Sequence, residues 1–413
     1  MPLPAATAYR PALMRHANAL LPRLWHSRLL PPPDLLEETL DRQATRATRL
    51  ADFGDPWFRE PLRVLLPALR DEARLNPLGQ VIAHGSLLKV LKERLWAEAL
   101  FARHPGIRAR PLAAPVVIVG PMRSGTTRLH RLLASDTRFS HLRLFEAMCP
   151  VPWPSSRQRR DPRAAYTAHG WKTLNRINPA NAAIHPTGPH EPDEELGMLE
   201  NSVWGAQIEG QRRVPSYARW CEARDATPAY AHMADLLRLA GWFRGDDPAI
   251  PWVLKTPQHM QDLGALLRVF PDARLIFIHR DPVRVVGSSA SLVWHQMVVQ
   301  SDDVDPHWIG REWLHKSELR AARTMAVRES VAPGQQIDVT FEAMNLDWLG
   351  VMRRVYAFLD IDIEPAIVPM AAYIDRAHRD HAYADHHYDL ADFGLNADEV
   401  RERFADYAAR FLA

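Results

Sequence analysis

The chain has 413 residues, 47% of them apolar and 24% charged, the composition of folded globular protein with room for a sizeable core. Its 51 basic and 49 acidic residues leave a formal charge of +2, which excludes a protein that holds long nucleic acid by bulk electrostatics, so any anion site must be local. Cys149 and Cys221 stand far apart, which excludes a disulfide framework or a cysteine metal site and suits a reducing, cytoplasmic compartment; no apolar leader or stretch of about 18 apolar residues predicts a secretory signal or a transmembrane helix.

Length suggests two or three domains. Residues 1–113 read as a helical extension, with apolar residues at three- and four-residue spacing in LLEETLDRQATRATRL and QVIAHGSLLKVLKERLWAEALF. This region carries no chemical motif. Packing or a homo-oligomer contact is its expected role, ahead of a lid or a membrane-surface role.

The pattern changes at Ala114, where an α/β domain over 114–413 is expected. APVVIVG is a short β-branched run that ends in glycine and precedes a helical pattern at Leu129, Leu132 and Leu133. PWVLK (251–255), ARLIFIHR (273–280) and IDVTFE (337–342) repeat this strand-then-helix order. Such alternation predicts a central parallel sheet covered on both faces, a P-loop-like three-layer fold. In such sheets ligands bind at the carboxyl ends of the strands, where Gly120, Lys255, Arg280 and Glu342 fall. Residues 140–245, too long for a simple crossover and rich in tryptophan, read as a helical insertion over those ends on the acceptor side.

The loop GPMRSGTT has the spacing of a phosphate cradle: Gly120, four residues, Gly125 and two hydroxyl residues. Thr126 stands where a nucleotide-phosphate loop needs lysine, and the cation is Arg123. Glycines let the backbone approach a phosphate closely, and the amides of 122–127 with the following helix N-terminus face an anion. The strand LIFIHRD ends in His279 and Arg280 before Asp281, so a magnesium-binding aspartate directly at a strand end is missing. Arginine and lysine at strand ends suit a metal-free anion site.

GPMRSGTTRL resembles the 5′-phosphosulfate loop of sulfotransferases that use 3′-phosphoadenosine 5′-phosphosulfate, and IFIHRDPVRVVGSSASL resembles their 3′-phosphate motif, with Arg280 and Ser288 eight residues apart. LKTPQHMQDLGALLRVFPDARLIFIHRDP, VTFEAMNLDWLGVMRRVYAFLDI and YDLADFGL are similar to a bacterial branch whose loop carries arginine. The resemblance spans roughly 114–145 and 251–410. It implies transfer of a sulfuryl group from that donor to a hydroxyl acceptor without a metal. The donor would be held by Arg123, Ser124, Gly125, Thr126, Thr127, Arg280 and Ser288, with Arg123 at the leaving phosphate and Lys255 at the sulfuryl group.

The general base has two leading candidates, His259 and Glu194, in a set that also holds His190, Glu191 and Glu195. Cytosolic animal members carry histidine two residues past the lysine; Pro257 stands there, and His259 lies two positions further. The other is Glu194 of GPHEPDEELGML, a run that also reads as a helix start with Asp193 as N-cap and Glu194 and Glu195 in the first turn. Four histidines, His378, His381, His386 and His387, match no standard zinc frame, and that segment reads as a cover over the donor. Two rival functions stay open: a nucleoside or nucleotide kinase, which magnesium-dependent ATP turnover would reveal, and a non-catalytic nucleotide-binding protein. The acceptor is open to phenol, sugar, lipid and peptide hydroxyls.

Overall fold

The computed structural model describes residues 9–157, 160–178, 187–379 and 388–412. Two helices precede the sheet and matter below: α1 (Ala12–His26) and α2 (Pro77–Arg103), the latter capped by the Asn76 side chain accepting from Gly79 N at 2.8 Å, with Pro77 at its first position. Strand β1 (Val116–Val119) runs into α3 (Thr126–Ala134). Helix α4 (Pro162–Ile177) lies in the segment that follows. Then come β2 (Val253–Lys255), α5 (Gln258–Val269), β3 (Arg274–His279), α6 (Pro282–Gln300) and β4 (Gln336–Thr340).

The four strands form one parallel sheet in the order β2-β1-β3-β4. All four overlap the predicted apolar runs. However, β4 ends at Thr340, and Phe341 and Glu342, expected to close that strand, open the helix Phe341–Leu346 because the Thr340 side chain caps it. Val117 pairs with Leu254 on one side and Leu275 on the other, and Ile278 pairs with Val339. Alternate side chains along each strand enter different cores, because successive side chains of a strand point to opposite faces. Val117, Val119, Leu254, Leu275 and Phe277 join one apolar cluster, while Val116, Ile118, Val253, Ile276 and Ile278 join another. This gives three layers, with helices on both faces. The first cluster also contains Leu62 and Leu91 from before the sheet and Leu237 from the segment between β1 and β2, so all three regions share one core.

From β1 the chain goes to an edge, β2, and then returns across β1 to place β3 on its other side. The crevice at such a reversal is where open parallel sheets take ligands. The 120–125 loop sits there. Residues 140–245 are largely helical, including α4 and the helices Leu196–Glu200 and Thr227–Arg244. Among the described residues, no helix is long and apolar enough to cross a membrane.

Candidate active site

The loop after β1 is shaped by two backbone positions. Gly125 has φ 85°, a left-handed conformation that glycine adopts without strain, and it leads directly into α3. At Gly120, an added Cβ would stand 2.4 Å from Ile278 Cγ2 and 2.9 Å from Ile278 O, so the loop passes against β3 only because no side chain is there. Ser124 is fully buried and donates its hydroxyl to Pro121 O at 2.7 Å, which closes the turn. Arg123 is also left-handed, with φ 67°. Its Nε donates to Ser288 Oγ on α6 at 3.0 Å.

Arg280 follows the last residue of β3 and turns toward the same loop, donating to the Arg123 carbonyl. Its guanidinium lies 3.8 Å from the Phe341 ring centroid, a cation–π contact. The pKa of each arginine is lowered, by burial first in both; for Arg123 the next cause is the charge of Arg280. Two cations are thus held close inside the protein, an arrangement that an anion relieves. Sequence reasoning put Arg123 at one phosphate and the Arg280–Ser288 pair at a separate one. The fold instead makes them contiguous, because the left-handed loop carries Arg123 across to α6.

On the other side of the loop, Lys255 ends β2 as an almost fully buried side chain. Its Nζ donates to Thr127 Oγ1 at 3.2 Å and pairs with the Glu194 carboxylate. Its backbone N–H donates to Glu195 Oε2 at 3.1 Å. The short helix Leu196–Glu200 begins only after these two glutamates. The helix-start alternative, with Asp193 as N-cap, is therefore corrected: Glu194 and Glu195 precede the helix, and their carboxylates turn to β2 and α5 instead of its amides. Asp193 Oδ1 accepts from Glu194 N at 2.8 Å.

His259 is brought to the same neighbourhood but faces away from the crevice. Residues 257 and 259 lie about 200° apart around a helix, so with Pro257 toward the open side His259 points into the core. Its side chain is completely buried; Nε2 meets Glu195 Oε1, and Nδ1 lies 2.9 Å from Tyr230 Oη. Both ring nitrogens are engaged. Behind it, Asp262 accepts from Trp204 Nε1 and from Gln258 Nε2, each at 2.7 Å. Burial pushes the Asp262 carboxyl up to about 6, against the pull of those two bonds.

A cavity of about 410 Å³ opens beside the loop. Arg123, Thr126, Thr127, Asp193, Glu194 and Pro257 line one part; Met122, Leu144, Met148, Leu196 and Leu292 supply apolar wall. Ile82, Ser86 and Lys89 of α2 and Trp171, Leu174 and Ile177 of α4 complete it. The insertion, expected on the acceptor side, supplies part of this wall, and α2 and α6 supply further parts of it.

Phe341, Tyr230 and Asp262 were not singled out from sequence, and no local signal marks them. Tyr388, inside the YDLADFGL stretch, packs on α6: a Cβ at Gly287 would stand 2.4 Å from Tyr388 Cε2, one residue before Ser288, and its hydroxyl donates to Arg284 O at 3.0 Å. Of the histidine-rich stretch, His378 is exposed at the end of the helix Glu364–Arg379, and His381, His386 and His387 lie outside the described residues.

Residues 115–365 match the model of the sulfotransferase family. Omega-hydroxy-beta-dihydromenaquinone-9 sulfotransferases, Stf3, of Mycobacterium bovis and Mycobacterium tuberculosis are each 26% identical over 320 residues, 72% of this chain and 74% of theirs. The crystal structure of sulfotransferase STF1 from Mycobacterium tuberculosis H37Rv superposes with a TM-score of 0.79 at 28% identity, covering 91% of this chain and all of that one. That of sulfotransferase STF9 from Mycobacterium avium gives 0.80 at 24% identity, covering 92% and 97%, a likeness of fold.

Proposed function

The chain belongs to the sulfotransferase family, and from that premise we propose that it moves a sulfuryl group from 3′-phosphoadenosine 5′-phosphosulfate to the hydroxyl of a small apolar acceptor, by in-line displacement without a metal. The observation that carries this reading is that two unlike charge arrangements each reach one cavity by one member: the Arg123–Arg280 pair through Arg123, and the Lys255–Glu194 pair through Glu194. The donor, when bound, supplies an activated sulfuryl group on a phosphate leaving group.

The chain's own residues divide the work as follows. The loop amides, with Ser124, Gly125, Thr126 and Thr127, receive the 5′-phosphosulfate at the start of α3, where backbone N–H groups and the helix dipole favour an anion. Arg280, stacked on Phe341, offers a planar fork to the 3′-phosphate. Ser288 accepts from Arg123 and keeps its own hydroxyl hydrogen for the same phosphate. Arg123 thereby bridges the two anion sites and stabilises the leaving phosphate. Lys255, held between Thr127 and Glu194, neutralises sulfuryl oxygens.

Glu194 takes the acceptor's proton. It lines the cavity, whereas His259 has no nitrogen to spare and no path to the acceptor. His259 and Tyr230 instead hold Glu195, and through it the Lys255 backbone, in place. The Stf3 relatives are named for a hydroxylated dihydromenaquinone. The Met, Leu and Trp wall of this cavity supports an acceptor of the same apolar character here. Residues 1–113 act as an extension that supplies part of that wall, and the two buried free cysteines suit a cytoplasmic enzyme.

Calorimetry with adenosine 3′,5′-bisphosphate and with ATP, with and without magnesium, tests the reading. The bisphosphate is expected to bind tightly without metal, and ATP weakly. Equal affinity for ATP, or a requirement for magnesium, would return the chain to a kinase-like function.

A further inference from the structure

The first 33 residues contain four arginines and no aspartate or glutamate, in a chain whose total charge is only +2. Arg10 is used inside the fold, paired with Asp302. Arg15, Arg23 and Arg28 are exposed. The same part of the chain holds Leu13, Leu20, Leu29, Leu30 and Leu36, five of the nine exposed large apolar side chains among the described residues; Leu29 is 72% exposed. Exposed basic and apolar groups are therefore concentrated together in one stretch of chain.

Helical spacing orders them. Leu13 and Leu20 are seven residues apart on α1 and share one stripe, while His16 and Arg23 repeat that spacing on the neighbouring stripe. The other side of α1 is committed to the fold: Met14 is buried, and Asn18 Oδ1 accepts from Leu78 N at 2.8 Å in the first turn of α2. That turn leads straight to the cavity. Val81 is exposed, Ile82 and Ser86 line the cavity, and α1 sits beside them. α1 is thus packed on the same helix that lines the cavity.

We propose that α1 and the segment to Leu36 dock on an anionic lipid bilayer and present the rim of the acceptor cavity to it. An apolar stripe flanked by cations lies in the plane of a membrane interface, with the leucines among acyl chains and the arginines at headgroup phosphates. Neither signal holds a protein there well alone; the two together do. The absence of any acidic residue before Asp34 selects a negatively charged surface. With no spanning helix among the described residues, the association is peripheral and reversible. It does not depend on the sulfuryl-transfer reading.

Co-sedimentation of the full chain with phosphatidylcholine vesicles, and with vesicles that also contain phosphatidylglycerol, tests this without donor or acceptor. Binding is expected only to the phosphatidylglycerol vesicles, weakening as salt rises. The triple variant R15Q/R23Q/R28Q should bind at least about tenfold more weakly. L20Q/L29Q should also lose binding, and both variants should unfold in urea near the parent's midpoint, which certifies their fold. Equal sedimentation with both vesicle types, or variants that bind like the parent, would overturn the proposal. So would a dimer in light scattering that L20Q/L29Q dissociates while vesicles go unbound, which would assign the face to a second copy of the chain.

Discussion

The two sides of the crevice treat charge in opposite ways. On the loop side, Arg123 and Arg280 are pressed together, each with its pKa lowered by burial. On the β2 side, Lys255 meets Glu194, and Glu195 meets His259, so opposite or complementary groups are matched. On the reading proposed above, an anionic ligand relieves the repulsion on the first side, which would make it a binding device. The other has its charges balanced in advance, Glu194 against Lys255 and Glu195 beside His259. On that same proposed reading, the arginines bind and Glu194 does the chemistry, and each role can be attacked separately.

The hardest attack removes the proton acceptor. Glu194→Gln is expected to lower kcat by roughly 10²–10⁴-fold, with bisphosphate affinity little changed, in a sulfuryl-transfer assay with saturating donor. His259→Asn should act mainly on stability in urea unfolding, as expected for a buried hydrogen-bonded group; a kcat loss matching that of Glu194→Gln would restore the histidine as base. The opposite side is tested by Arg280→Ala, which should cost about 2–4 kcal/mol of bisphosphate affinity by calorimetry, because a phosphate then lies unpaired. Indifference to this change would dissolve the binding role.

A smaller effect probes the matched side. Asp262 lies behind the catalytic turn, and its folded pKa of about 6 exceeds the usual carboxylate value of about 3.9. A raised folded pKa means that its stabilising contribution is complete below about pH 3.9 and is lost as pH rises through about 6. Asp262→Asn should remove that dependence, changing the stability difference from the parent by on the order of 2 kcal/mol between pH 4 and pH 7 in urea unfolding. A constant difference across that range would mean that the carboxyl is not held protonated. The smallest effect belongs to Ser288→Ala, expected to weaken bisphosphate binding by about 1 kcal/mol while kcat is kept, since one neutral hydroxyl is removed.

Much of this was legible in the chain. The four β-branched runs located the four strands, since a strand buried on both faces must be apolar along its whole length. The Gly120 and Gly125 spacing located the loop. Lys255 and Arg280 drew notice as cations closing such runs, where a parallel sheet opens to ligands. Arg280 and Ser288 are eight positions apart, one just past the end of β3 and the other in the second turn of α6, so their relation is local.

What stayed closed were relations between distant segments. Arg123 and Ser288 are 165 residues apart, Lys255 and Glu194 are 61 apart, and no periodicity connects either pair. Whether His259 or Glu194 faces the cavity was undecidable from spacing, because that depends on the rotation of α5 relative to the crevice. The sequence by itself determined which segments could bury both faces and which turn could cradle a phosphate, because those follow from side-chain volume and backbone freedom within a few residues. Only the tertiary structure decided which charges face which, because an ion pair or a hydrogen bond depends on separation in space, and packing fixes that separation between residues the chain keeps far apart.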